Sequence, residues 1–171
     1  MRYNKIRKMD ISNGEGVRVS IFVQGCHFHC KGCFNPETWN FEGGKEFTSQ
    51  TLETLLDFCA KPTRNGLSIL GGEPLNDENY SGVLEIVKAF RGDKRLAKKD
   101  IWLWTGYEIE DILNNRNKKE ILNYLDYIIC GQFIEEQKNL RLKWAGSKNQ
   151  RWIDIKATLA QKDTKIIEKE M

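Results

Sequence analysis

Four short apolar segments, each stopping at a glycine, constrain this chain more than any other feature. Residues 17–23 alternate, with Val17, Val19, Ile21 and Val23 on one face and Arg18, Ser20 and Phe22 on the other, and run straight into Gly25-Cys26. Residues 67–70 stop at Gly71-Gly72-Glu73-Pro74, residues 101–105 at Gly106, and residues 127–130 at Gly131. Helical patterns lie between them. Thr48 or Ser49 can cap a helix carrying Leu52, Leu55, Leu56 and Cys59 on one face and closed by Lys61-Pro62, which makes Cys59 core packing. Val83, Ile86, Val87 and Phe90 mark a second helix, and Ile109, Ile112 and Leu113, then Ile121, Leu122 and Leu125, mark further helical turns. Strands alternating with helices imply parallel neighbours, so an α/β fold with a mostly parallel sheet is expected. The segments CHFHCKGC, GGEP, TGY and CGQF then converge on the carboxyl rim of that sheet and suit a single active site.

With 171 residues the chain fits one domain over 1–171, short of the ~250 residues of a closed eight-unit barrel. Beyond Gly131, Leu140, Leu142 and Trp144 alternate, and residues 145–150 are expected to turn back into 152–155 as a hairpin. The tail, residues 156–171, reads as a frayed helix or as disordered. Lys and Arg number 27 against 24 Asp and Glu and are interleaved with them, which gives no support for nucleic-acid binding. The opening MRYNKIRKMD lacks the apolar run of a signal peptide, and no stretch of ~18 apolar residues is present to cross a bilayer. A cytoplasmic protein without membrane contact is expected.

Five cysteines is an odd count, and three of them, Cys26, Cys30 and Cys33, fall within eight residues, a pattern suited to metal binding rather than to disulfides. Three thiolates on one tight loop can ligate a [4Fe-4S] cube and leave its fourth iron open, as catalysis requires. Two other readings stand beside this one. Zinc could take the three cysteines with His27 or His29, although zinc modules usually gather ligands in two separated pairs. Cys30 and Cys33 alone could form a redox dithiol, which leaves Cys26 unexplained.

CxxxCxxC after a first strand, with GGEP after a second, resembles the radical S-adenosylmethionine superfamily. NGEGVR at residues 13–18, FVQGCHFHCKGCFNPETW at 22–39, WLWTGY at 102–107, GQF and GSKNQR resemble its branch of anaerobic ribonucleoside-triphosphate reductase activating proteins. The resemblance implies a partial (β/α) barrel open on one side, in which a reduced [4Fe-4S] cluster on Cys26, Cys30 and Cys33 cleaves S-adenosyl-L-methionine to methionine and a 5′-deoxyadenosyl radical. The radical would place a glycyl radical near the C-terminus of the reductase large subunit, with a small flavin or iron-sulfur protein as electron donor. An activase of another glycyl-radical enzyme is the neighbouring reading.

The same resemblance implies S-adenosylmethionine contacts from Gly71, Gly72 and Glu73, which would receive the methionyl amino group, and from Gly32, Cys33 and Phe34 around adenine. Thr105 ends a strand and can bond the ribose or carboxylate, or cap the next helix. Trp102 and Trp104 read as packing. Lys148, Asn149, Gln150 and Arg151 of GSKNQR are either partner contacts or a solvated turn. The chain departs from the family at Cys130, where an acid is usual, and at Ala145, where an arginine is usual; Cys130 reads instead as a buried thiol.

Overall fold

The computed structural model describes residues 1–161, 163 and 165–171. Among these residues one sheet of eight strands runs in the order β3 (Lys45–Glu46), β1 (Arg2–Asp10), β2 (Arg18–Val23), β4 (Gly66–Gly71), β5 (Asp100–Trp104), β6 (Tyr127–Cys130), β7 (Arg151–Asp154), β8 (Glu168–Lys169). Its centre is the expected repeat. β2 (Arg18–Val23), β4 (Gly66–Gly71), β5 (Asp100–Trp104) and β6 (Tyr127–Cys130) pair in parallel. Between them lie α1 (Ser49–Ala60), α2 (Asp77–Gly92) and α3 (Ile109–Asn114), with a 3-10 stretch at Lys119–Tyr124. Thr48 caps α1 by accepting from the Thr51 N–H at 3.2 Å.

The flanks are antiparallel, which corrects the expectation of a mostly parallel sheet. β1 (Arg2–Asp10) pairs antiparallel with β2 on one side and β3 (Lys45–Glu46) on the other. At the far edge β7 (Arg151–Asp154) pairs antiparallel with β6 and β8 (Glu168–Lys169). Three parallel pairings are thus outnumbered by four antiparallel ones, and the sheet is mixed. A strand can join a sheet edge antiparallel without a crossover helix, so no helical pattern announces it.

The expected hairpin across residues 145–150 is also corrected. Residues 139–146 are a loop pinched by a bridge between Lys138 and Ser147, and β7 takes β6 as its partner instead. In the tail, the short helix α4 (Ile155–Leu159) and the pairing of β8 stand where fraying or disorder was expected; for residues 162 and 164 that expectation lies outside the described residues. No helix among the described residues is long and apolar enough to cross a membrane.

Alternation gives the sheet two faces. Val19, Ile21, Val23, Leu67, Ile69, Ile101, Leu103 and Ile128 pack into one core with Leu55, Val83, Ile86 and Phe90 from the helices. Each such fully buried aliphatic side chain stabilises the fold by about 1.5–3 kcal/mol. On the opposite face Trp102, Ile129 and Trp152 form a smaller cluster, against which Trp104, Tyr127, Trp144 and Ala145 pack. Arg18 lies fully buried on that face. Its guanidinium donates to Ser68 Oγ at 2.7 Å and the Leu67 carbonyl at 2.9 Å, pairs with Asp100 at 2.6 Å, and covers the Trp102 ring. Ser68 Oγ in turn donates to the Asn13 carbonyl, which fastens the NGEG segment over the sheet. Cys59 and Cys130 are buried, and burial pushes both thiols up to about 12. Neither is a reactive thiol.

Candidate active site

The carboxyl ends of β2, β4, β5 and β6 open on one cavity of about 560 Å³, on the face away from the helical core. Phe22, Leu70 and Trp104, successive same-face residues of adjacent strands, line it together with Cys26, Cys30 and Cys33. The loop that carries the cysteines is held by its backbone. Gly25 N–H donates to the Thr38 carbonyl at 2.7 Å, Cys26 N–H to Trp39 at 3.1 Å, and Cys33 N–H to Cys30 at 3.1 Å. Gly25 sits at φ 102°, where a side chain would be strained and would also strike the Phe41 ring.

All three thiols are free, Cys26 buried and the other two half-buried. Burial raises the Cys26 thiol above its ordinary value, so holding it as thiolate needs a compensating cation such as iron. His27 and His29 do not join the set. His27 pairs with Glu78 at 3.2 Å and packs on Phe41, His29 stacks on Trp39, and neither lines the cavity. Among the described residues no three His, Cys, Asp or Glu side chains are grouped around a single ion. A cube takes each thiolate on a different iron and needs no such grouping, so three free thiols lining one cavity fit a cluster better than a four-ligand zinc site.

Facing the thiols is the GGEP turn. Gly72 N–H donates to Val23 and Glu73 N–H to Gly25, while Asn79 reaches the Gly25 and Glu73 carbonyls from α2. A Cβ on Gly72 would stand 2.4 Å from the Gly25 oxygen, and Gly71 has φ 111°. Two strand ends are thereby brought closer than any larger residue permits.

Glu73 is buried, and its carboxylate is fully engaged by the protein. Oε1 accepts from the Thr105 hydroxyl at 2.7 Å and Leu75 N–H at 2.9 Å, and Oε2 from Gly106 N–H at 2.8 Å. Burial drives its pKa up to about 7 against the pull of those donors and of Lys118. Thr105 does not cap α3; its hydroxyl ties GGEP to TGY and accepts from Tyr107 N–H at 3.2 Å.

Of the residues singled out from sequence, the cavity gathers Cys26, Cys30, Cys33, Phe34, Gly71, Gly72, Glu73, Thr105 and Gln150, and Trp104 and Ala145 line it as well. Gly32 lies outside it, at φ 71° against the Glu135 carboxylate. GSKNQR acts as a clasp: Gln150 accepts from Gly146 N–H and donates to the Gly131 carbonyl, and Asn149 donates to Gln132. Arg151 is taken by Glu110 and Glu168, and Lys148 is exposed.

Sequence reasoning missed three parts of the lining. Leu140, Leu142 and Trp144 form one wall, Ser12 and Asn13 another, and Trp39 and Phe133 close the rim. The first had a signal, since its alternation reflects side chains turned in turn to the cavity. Trp144 adopts φ 67°, and its carbonyl accepts from Trp104 Nε1 at 2.7 Å, which holds the wall to β5.

Residues 12–153 match the family model for a 4Fe-4S single cluster domain. Among similar proteins, the anaerobic ribonucleoside-triphosphate reductase-activating protein of Enterobacteria phage T4 is 44% identical over 156 residues, covering 88% of this chain and 92% of that one. Its namesakes from Vibrio cholerae and Haemophilus influenzae are 39% and 38% identical, each match covering 88% of this chain and 96% of theirs. A cysteine-lined cavity at the carboxyl ends of the parallel strands thus coincides with similarity over nearly the whole chain, which belongs to the family of anaerobic ribonucleoside-triphosphate reductase-activating proteins.

Proposed function

We propose that this chain is a radical S-adenosylmethionine oxidoreductase that generates the glycyl radical of anaerobic ribonucleoside-triphosphate reductase, with Cys26, Cys30 and Cys33 as the ligands of its [4Fe-4S] cluster. When bound and reduced, the cluster supplies the electron that splits S-adenosyl-L-methionine into methionine and a 5′-deoxyadenosyl radical, which takes hydrogen from a glycine Cα of the reductase large subunit. The observation that carries this reading is the meeting of three free thiols with GGEP and TGY on one cavity.

The protein's own part is orientation and exclusion of water. The GGEP backbone, left uncovered because Gly71 and Gly72 lack a Cβ, is suited to the methionyl amino group. Phe34, tilted against Phe133 at 5.2 Å and lining the cavity, is suited to the adenine. Glu73 and Thr105 act by fixing the two turns to each other. We read the whole chain as one domain and its sheet as a partial barrel whose helix-free face receives the partner's glycine loop. A small flavin or iron-sulfur protein is the electron donor in this reading, and the cytoplasm, where five free cysteines stay reduced, is its setting.

Anaerobic purification, reconstitution and reduction test it. Expected are about four irons and four sulfides per chain, release of 5′-deoxyadenosine from S-adenosylmethionine, and a glycyl doublet in the electron paramagnetic resonance spectrum of the added reductase. Zinc without labile sulfide refutes the cluster. A doublet on another glycyl-radical enzyme but none on this reductase refutes the target.

A further inference from the structure

The cavity wall at residues 137–148 carries cations and no acids. No Asp or Glu occurs between Glu136 and Asp154, whereas Lys138, Arg141, Lys143, Lys148 and Arg151 all do. Outside this stretch Lys5, Arg18, Lys88, Arg91, Arg95 and Lys118 each meet a carboxylate within 4 Å, as Arg151 does at its end, while others such as Lys94, Lys98 and Arg116 do not among the described residues. Among the described residues, Lys138, Arg141, Lys143 and Lys148 meet none, and all four are exposed. Between them Leu140 is 76% exposed and also lines the cavity.

The loop that holds them is not slack. Asn139 N–H donates to the Gly146 carbonyl and Lys148 N–H to Gln137, while Gln150 and Ser147 fasten the base to residues 131–134. Lys138 lies over the Phe34 ring at 5.2 Å, whereas among the described residues the Arg141 and Lys143 side chains meet no carboxylate, so exposed cations flank a protruding leucine at the mouth of the cavity.

We propose that Lys138, Arg141 and Lys143 form the docking strip for an acidic segment of the partner protein that borders its radical-bearing glycine, with Leu140 as the apolar contact beside it. This rests on the reading of the cavity given above and adds the partner's chemistry: carboxylates flanking the entering loop. Exposed charges at an interface rim steer encounter and set its salt dependence more than they set final affinity. The strip therefore acts chiefly on association.

The test uses full-length chain reconstituted with cluster, and purified anaerobic ribonucleoside-triphosphate reductase. The double variant Arg141→Glu and Lys143→Glu, which leaves Lys138 over the Phe34 ring untouched, is compared with wild type by stopped-flow association at low and high salt. Neither side chain lines the cavity, so 5′-deoxyadenosine release without reductase should be unchanged, which also reports that the variant is folded. Expected is an association rate at least tenfold slower at low salt, with most of the wild type's salt dependence gone. Equal rates, or wild-type association indifferent to salt, overturn the docking strip even when the glycyl doublet forms. Absence of any doublet with the wild type, while 5′-deoxyadenosine is released, overturns the choice of partner itself.

Discussion

At the scale of single residues, Glu73 shows how a motif read as a ligand set also works as a joint. All its partners are donors, from Thr105, Leu75 and Gly106, so the acceptor-only carboxylate is the form they match. Burial opposes that form and lifts the pKa from 4.5 to about 7. The folded protein accordingly holds a proton that the unfolded chain has released between those values. The stability Glu73 adds is complete below about pH 4.5 and falls as pH rises through about 7. Glu73→Gln does not titrate and turns an amide N–H₂ toward donors, which costs about 1–3 kcal/mol. Urea denaturation should find wild type more stable than Glu73→Gln at pH 5, by a margin that shrinks at pH 8. A margin that widens with pH would refute burial as the dominant influence. Thr105→Ser should be nearly neutral, because the hydroxyl is kept.

Among the elements, the four glycine-terminated strands and α1 and α2 were legible because each buries one regular face. β1 was not. Its register shifts between Tyr3 and Lys5, so Tyr3 and Ile6 both reach the helical core while Lys5 and Arg7 lay their stems and charges over the Phe22 ring. A bulge breaks period two, and the strand reads as a polar stretch. β8 is two residues long and has no pattern to read. The converse error at Leu140, Leu142 and Trp144 has the same root, since alternation records which side chains share a side, and that side can face a cavity, with Leu140 left 76% exposed at its mouth, as well as a sheet. The meeting of Cys26, Cys30 and Cys33 with the other glycine-containing turns on one rim was readable from spacing. The Glu73–Thr105 joint was not, because it couples residues 32 apart through a hydrogen bond. The junction of β2 with β4 gives a sharp expectation: Gly72→Ala drives a methyl into the Gly25 carbonyl, which is backbone and cannot rotate away. About 1–3 kcal/mol of stability should be lost in thermal denaturation, and 5′-deoxyadenosine release should fall further than in Gly92→Ala, where a Cβ meets open space.

Across the whole molecule, fold and chemistry occupy opposite faces of one sheet. The helical face holds the core of Ile21, Ile69, Leu103 and Ile128, while the thiols sit beyond the strand ends on the other. The cysteine loop is kept in place by backbone bonds from Gly25 and Cys26 to Thr38 and Trp39, none of which needs a metal. A structural zinc contributes about 10–16 kcal/mol and unfolds its domain when removed. Here the core is built without it. The variant with Cys26, Cys30 and Cys33 all changed to serine should therefore keep the far-ultraviolet circular dichroism of the wild type. Its melting temperature should drop by only about 2–4 °C, the cost of one buried thiol made polar in a chain of this size. Iron and sulfide should be absent after reconstitution. Chelator-treated wild type should match the variant. Collapse of the spectrum in either would place the metal in the fold rather than in the chemistry, and the zinc reading would then account for the loop better than an open cluster does. The division of the sheet argues the other way: a chain that folds on one face is free to keep the other incomplete, with a cavity that a cofactor and a partner's loop can share.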